Sequence, residues 1–233
     1  MTISYFVTGW FERDPAVRLS ETKQQALAAA IAALPAIERA EIGVPAEVQT
    51  YHGDTGIPPL TLRLDFATLA TLERELLDGG GVHRLAASPL WAGLALDRVQ
   101  QQAMVRRCFL EIPSGSTSGC DYQVHYPGAA DDLNTWLRHY LDHHAPVMTT
   151  FPAVRGVDVY TRVDWCDALP PSWERVAYMQ RNRVAFDTPQ ELLAALDSPV
   201  RERMKADFAR FPAFSGGACH YPMRVMRIRR RGN

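Results

Sequence analysis

The side chains best suited to chemistry in this 233-residue sequence lie between residues 120 and 220. From Asp131 to Ala145 apolar residues recur at helical spacing. On a wheel of 100° per residue, Leu133, Trp136, Leu137, Tyr140, Leu141 and His144 share one stripe, with His144 near its middle and Arg138 and Asp142 opposite. The imidazole of His144 is therefore expected to point inward. Because Ala145 precedes Pro146, the helix is expected to end or kink at His144. There the helix dipole would raise its pKa and burial would lower it, so it could exchange a proton near neutrality. The competing reading is a structural histidine capping the last carbonyls. Tyr122 and Tyr126 share one face of an alternating strand, Asp121 to Tyr126, and are expected to face the helices and join the His144 pocket. A phenol there can steady an oxyanion or act as an acid, with Trp136, Tyr140 and Phe186 binding substrate and excluding water.

His125 on that strand and His220 on the last strand are expected on the opposite sheet face, against the other half of the chain, where Tyr160 and Arg162 would line the same interior. Buried polar groups in such a place are more often structural than ligand-binding. His139 and His143, four residues apart, suit a shared metal ion, but they lie on the helix flank, lack the glutamate of H-E-x-x-H and have no obvious third ligand. No metal site is expected. Neither G-x-S-x-G, G-x-G-x-x-G nor a Walker sequence occurs, and the residues call for no cofactor.

The elements that must hold these residues repeat. Asp65-Phe-Ala-Thr68 and Ala185-Phe-Asp-Thr188 each precede a leucine-rich helix 120 residues apart, and Ser88-Pro89 corresponds to Ser198-Pro199 once the extra Gly79-Gly-Gly81 stretch is allowed for. In the second half the patterns give a strand at 121–126, a helix at 131–145, strands at 154–165 and 173–186, a helix capped by Thr188 with Glu191, a helical stretch from Ser198 and a strand at 218–228. In the first half they give strands near 3–10, 38–51, 60–66 and 98–112, a helix over 20–34 and helices from Thr68 and Ser88. Each half reads βαββαβ, a ferredoxin-like unit. Residues 1–112 form one unit, 113–119 (Pro-Ser-Gly-Ser-Thr-Ser-Gly) a linker and 120–233 the other. A four-stranded sheet with helices on one face leaves the other face wet, and a tandem copy covers it. The expected fold is α+β, a pseudo-dimeric α/β barrel that is monomeric or a homodimer of pseudo-dimers.

The balance of 25 Lys+Arg against 26 Asp+Glu gives no field to draw a polyanion, and the basic run Arg227 to Arg231 reads as a solvated tail, so nucleic acid is not an expected partner. No apolar run approaches the length of a membrane span, and the N-terminus lacks a signal-peptide pattern; a cytoplasmic protein is expected. Cys108, Cys120, Cys166 and Cys219 are scattered and read as buried, reduced thiols.

Through Tyr126-Pro127-Gly128, Trp136 and Tyr140, His144-Ala145-Pro146, Phe186-Asp-Thr188 and Ser198-Pro199, most of residues 120–230 resembles the EthD-like branch of the dimeric α/β-barrel superfamily. The resemblance implies a ferredoxin-like unit with a small-molecule pocket between sheet and helices, in a superfamily that includes an accessory protein of ether degradation, cofactor-free monooxygenases, lactone isomerases and haem proteins. The first half departs from the pattern, since no His-Ala-Pro follows its Leu34-Pro35. One working pocket and one scaffold half are therefore expected. The resulting reading is a small-molecule-binding protein or cofactor-independent enzyme (isomerase, lactone-processing enzyme or monooxygenase) with His144 moving a proton on an apolar, oxygen-bearing substrate. Its alternatives are a non-catalytic carrier beside an oxygenase and a haem protein, the last revealed by absorbance.

Overall fold

The computed structural model describes residues 2–14, 17–48 and 56–228. The expected strand end at 49–51 and the arginines beyond Ile228 lie outside the described residues. The first half runs β1 (Ile3–Trp10), α1 (Glu21–Ala32), β2 (Arg39–Pro45), β3 (Leu60–Phe66), α2 (Leu69–Leu76), α3 (Gly81–Ala86), α4 (Pro89–Ala92) and β4 (Arg98–Glu111). The second runs β5 (Ser118–Tyr126), α5 (Leu133–His139), a π-helical turn (Tyr140–His144), α6 (Ala145–Met148), β6 (Gly156–Arg162), β7 (Trp173–Arg175), β8 (Gln180–Phe186), α7 (Pro189–Leu196), α8 (Pro199–Phe208) and β9 (Cys219–Ile228). Side-chain oxygens start the helices: Thr68 and Ser88 accept from the backbone N–H three residues on, and Thr188 and Glu191 form a reciprocal capping box.

Eight strands form a closed antiparallel ring in the order β1-β3-β2-β9-β5-β8-β6-β4, with β4 returning to β1. Two long strands make the closure. One part of β4, Arg98–Val105, pairs with β1 and its far end, Met104–Glu111, with β6, while β9 pairs with β5 over Cys219–Met226 and with β2 over Met223–Ile228. Helices cover the outside of the ring, so every strand alternates between a helix-facing residue and one pointing into the barrel. On β5, Tyr122, Val124 and Tyr126 face the helices, whereas Asp121, Gln123 and His125 point inward.

The barrel interior holds a buried ion network. Arg183 lies 2.7 Å from Asp121, 2.5 Å from Asp158 and 3.4 Å from Glu41; Arg63 lies 3.1 Å from Glu41 and donates to the Tyr160 hydroxyl at 3.0 Å; Arg106 lies 2.8 Å from Asp158 and Arg227 3.7 Å from Glu41. Burial raises the Glu41 carboxyl, but Arg183, Arg63 and Arg227 together overcome it and leave it at about 2. These contacts join β2, β3, β4, β5, β6, β8 and β9, so they fasten the two halves where they meet, at β2–β9 and β6–β4.

Several sequence expectations need correction. The 173–186 strand is two strands, because β7 runs parallel along β4 while β8 sits between β5 and β6; the chain crosses over at 176–179. The helix does not end at His144. Ala145 keeps helical geometry (φ −62°, ψ −41°), the π turn widens the coil, and Pro146 sits in the first turn of α6, where its missing N–H costs nothing. Arg227 belongs to β9 and the ion network, not to a tail. The link between β4 and β5 is shorter than the expected 113–119, as Ser118 already belongs to β5. Cys120 is buried and Cys219 half-buried, but Cys108 and Cys166 are exposed; all four are free thiols.

Because the folded Glu41 pKa is depressed, its contribution is fully present above its ordinary value near 4.5 and is lost as pH falls toward 2. Glu41→Gln is expected to cost about 3 kcal/mol at pH 7, since it leaves buried guanidinium charge uncompensated. Denaturant unfolding measured at falling pH should show the gap between variant and wild type narrowing below about pH 4.

Candidate active site

The imidazole of His144 is buried, at 5% exposure, and its Nδ1 lies 2.8 Å from Oδ2 of Asp207 on α8. The other carboxylate oxygen lies 3.3 Å from Nε2 of His139. In a regular α-helix residues 139 and 144 would stand about 140° apart around the axis. The π turn spans this interval and closes an i→i+5 coil, bringing both rings over one carboxylate. Edge contact with Phe211 at 4.7 Å and packing on Tyr140 at 4.9 Å fix the His144 ring.

Burial pulls the His144 pKa below its ordinary value; the hydrogen bond and charge of Asp207 push it back up, and His139 adds a small lowering. At neutral pH the ring is then uncharged. A carboxylate on Nδ1 selects the tautomer with its proton there, leaving the Nε2 lone pair as the basic position.

His144 forms part of the wall of a cavity of about 380 Å³ between α6, α7, α8 and the helix-facing side of β5, β8 and β9. Its apolar lining comes from Val124, Met148, Phe151, Val184, Leu196 and Met204, and its polar groups are His144, Tyr122, Tyr126, Asn182 and His220, with Arg201 and Lys205 contributed by α8. Few convergent polar groups in an apolar cleft of this size make the usual form of a small-molecule site. One end of the Asn182 amide bonds the Tyr140 hydroxyl; the other, also buried, has no partner among the described residues. Burial, with Tyr140 beside it, raises the Tyr126 phenol far above its ordinary pKa, so that it can donate a hydrogen bond but not act as a base. The Pro127-Gly128 turn lies hard against the Ser215 backbone, where a Cβ at position 128 would collide with the Ser215 carbonyl, so only glycine fits this approach.

Of the residues expected at the site, His144, Tyr122 and Tyr126 converge on the cavity. Trp136, Tyr140 and Phe186 do not line it. They form the packed wall behind it, with Trp136 stacked on Tyr140 at 5.1 Å and Tyr140 holding Asn182. His220 is on the opposite face from that expected. The β5–β9 register pairs it with Val124, so it turns to the cavity and stacks on Tyr122 at 5.6 Å, while Tyr221, Met223 and Val225 fill the barrel interior. His125 and Tyr160 do point into the barrel, but Arg162 is exposed at the end of β6. Asp207 was not singled out from the sequence, yet a signal exists: it is the one acidic residue on the Val200, Met204, Asp207, Phe211 stripe of α8 and the turn that follows it.

The matching cleft of the first half is filled. Trp173 lies on Trp91 with ring centroids 4.5 Å apart and Leu169 packs in the same cluster, so segment 163–176 from the second half plugs the space between α2, α4 and the sheet.

No protein-family model matches the sequence, and no curated protein matches it. Solved structures do. An anthrone oxidase-like protein superposes with a TM-score of 0.60 at 12% identity, covering 97% of this chain and 91% of its own. A candidate monooxygenase of Fusobacterium nucleatum gives 0.53 at 6% identity over 100% and 95%, and a chlorite dismutase of Candidatus Nitrospira defluvii 0.52 at 10% over 95% and 90%. The likeness shows that this chain shares their mixed α+β fold. Among the described residues no helix is long and apolar enough to cross a membrane.

Since folding lowers the His144 pKa, its neutral form favours the folded state. That contribution is full above the ordinary value near 6.5 and is lost as pH falls through the folded value. An NMR titration of the His144 ring should give a midpoint below 6.5, and Asp207→Asn should lower it further. A midpoint unmoved by Asp207→Asn would refute the pairing.

Proposed function

We propose that this protein is an enzyme acting on an apolar, oxygen-bearing small molecule by proton transfer through His144, with no cofactor. The observation that carries this reading is a buried histidine whose Nδ1 is held by a carboxylate while its ring forms part of an apolar cavity wall. Nε2 takes a proton from an acidic C–H or O–H of the substrate, and Asp207 stabilises the imidazolium that forms. Tyr122 and Tyr126 are placed to donate to the substrate oxygen as charge develops there, while the open end of the Asn182 amide, its carbonyl oxygen, is placed to accept from a substrate O–H. Trp136, Tyr140 and Phe186 hold these groups and keep water out from behind.

The finer architecture belongs to this proposal. Two ferredoxin-like units, 1–112 and 120–233, follow one another in tandem, and the cross-strand pairs support it: Arg63 sits opposite Glu41 on β3–β2, as Arg183 sits opposite Asp158 on β8–β6, with the arginines 120 residues apart. The second unit is of the EthD-like type by its Tyr126-Pro-Gly and His144-Ala-Pro motifs. It carries the pocket, and the first is the scaffold. Because the ring closes within one chain, no second copy is needed to complete it, and the protein acts as a monomeric pseudo-dimer or a homodimer of pseudo-dimers.

The experiment is oxygen uptake and product formation with a panel of anthrones, phenols and lactones, without added metal or cofactor. Anthrone enters because an anthrone oxidase-like protein shares the fold. His144→Asn is expected to lower turnover about 10²–10⁴-fold while retaining ligand binding, and His143→Asn to leave turnover unchanged. A carrier would bind equally well in wild type and His144→Asn and turn over none of the panel.

A further inference from the structure

The cavity at His144 changes character from its sheet side to its α8 side. Tyr122, Val124, Tyr126, Val184 and the neutral ring of His144 are buried and carry no full charge. On the α8 side two cationic residues, Arg201 and Lys205, line the same cavity. They are one turn apart on one helix face, with Cβ atoms about 5–6 Å from each other, so both side chains can meet a single small group. Arg201 is half-buried and Lys205 is exposed, as is Phe208 one turn further on, so this edge is the cavity mouth. Lys205 also pairs with Glu202 at 2.9 Å, but both side chains are at least half exposed. Such a pair contributes little and yields readily to a ligand. At the other end, the Asp207 carboxylate lies 2.8 Å from Nδ1 of His144, so negative charge already stands beside the imidazole and a second one there is disfavoured.

Resting on the reading of this cavity as the substrate site, we propose that the substrate is a carboxylic acid whose carboxylate is held at the mouth by Arg201 and Lys205, while its apolar, oxygen-bearing body lies along Val124, Val184 and Met204 toward His144. A guanidinium can take a carboxylate through two parallel N–H···O bonds, and an ammonium beside it adds a point charge. A cavity of about 380 Å³ has room for a body of one or two rings with a short acid side chain. The acid is a handle and does not react. Cations at one end and Asp207 at the other admit the molecule one way round, which brings its oxygen-bearing end to His144.

The aryl keto acid 4-oxo-4-phenylbutanoate and its carboxamide are alike in shape and differ in charge, so the ratio of their Kd values, from isothermal titration at neutral pH and low salt, reads the mouth alone. The acid is expected to bind the wild type about 10-fold tighter than the amide. In the double variant Arg201→Gln, Lys205→Gln that ratio is expected to fall to about 1, with the Kd of the amide unchanged. A ratio of about 1 in the wild type, a ratio kept in the double variant, or no binding of either compound overturns the proposal. Should the double variant fail to fold, Lys205→Glu, at an exposed position, takes its place with the same two outcomes. The two readings fail separately. A preference for the acid kept in His144→Asn, with no turnover by the wild type, removes the catalytic role of His144 and leaves the mouth; turnover of both compounds at equal affinity removes the mouth and leaves His144.

Discussion

Closing eight strands into a ring sends half of their side chains into a space that water reaches poorly, and this chain puts charge there. Three arginines and three carboxylates, Arg63, Arg106, Arg183, Glu41, Asp121 and Asp158, can be buried only because each meets opposite charge within about one hydrogen bond. The contacts cross both junctions at which the halves meet, β2–β9 and β6–β4. Removal of a single partner leaves the others stranded at a cost of several kcal/mol, which makes closure cooperative. With the inner face of the sheet committed in this way, any ligand cleft must form on the outer face, between sheet and helices.

On that outer face the two halves differ in one physical respect. In the first, Trp173 and Leu169 fill the cleft over α2 and α4, and the space becomes core. In the second, α8 stands off the sheet, and the gap is left open along Tyr122, Val184 and Met204. The π turn then turns His144 toward Asp207. A regular helix through the same residues would part His139 from His144 and leave the carboxylate with only one of them, so the irregular turn and the acidic residue on the apolar stripe of α8 depend on each other.

Much of this was legible from residue patterns. The period-2 alternation located β5, β6 and β9 to within a few residues, Thr188 with Glu191 fixed the start of α7, and the amphipathic wheel turned His144 inward. What failed did so where strand pairing, not local pattern, decides. The face of His220 is set by its register against Val124, and β9 reads as apolar on the face that fills the barrel, so its alternation alone points the wrong way. Trp173 to Phe186 looks continuous because both parts are strands; only their different partners, β4 and then β5 with β6, separate them. Asp207 lies 63 residues from His144, and no local rule joins them.

The role proposed for His144 is to remove a proton from a molecule held in the cavity. The most direct measurement is deuterium incorporation in D2O, without oxygen, into the aryl ketone that binds best, followed by mass spectrometry. The wild type is expected to exchange the acidic C–H well above the buffer rate, and His144→Asn, with the ketone still bound, is expected not to. A ketone that binds the wild type yet exchanges no faster than in buffer, or as fast in His144→Asn, would contradict it.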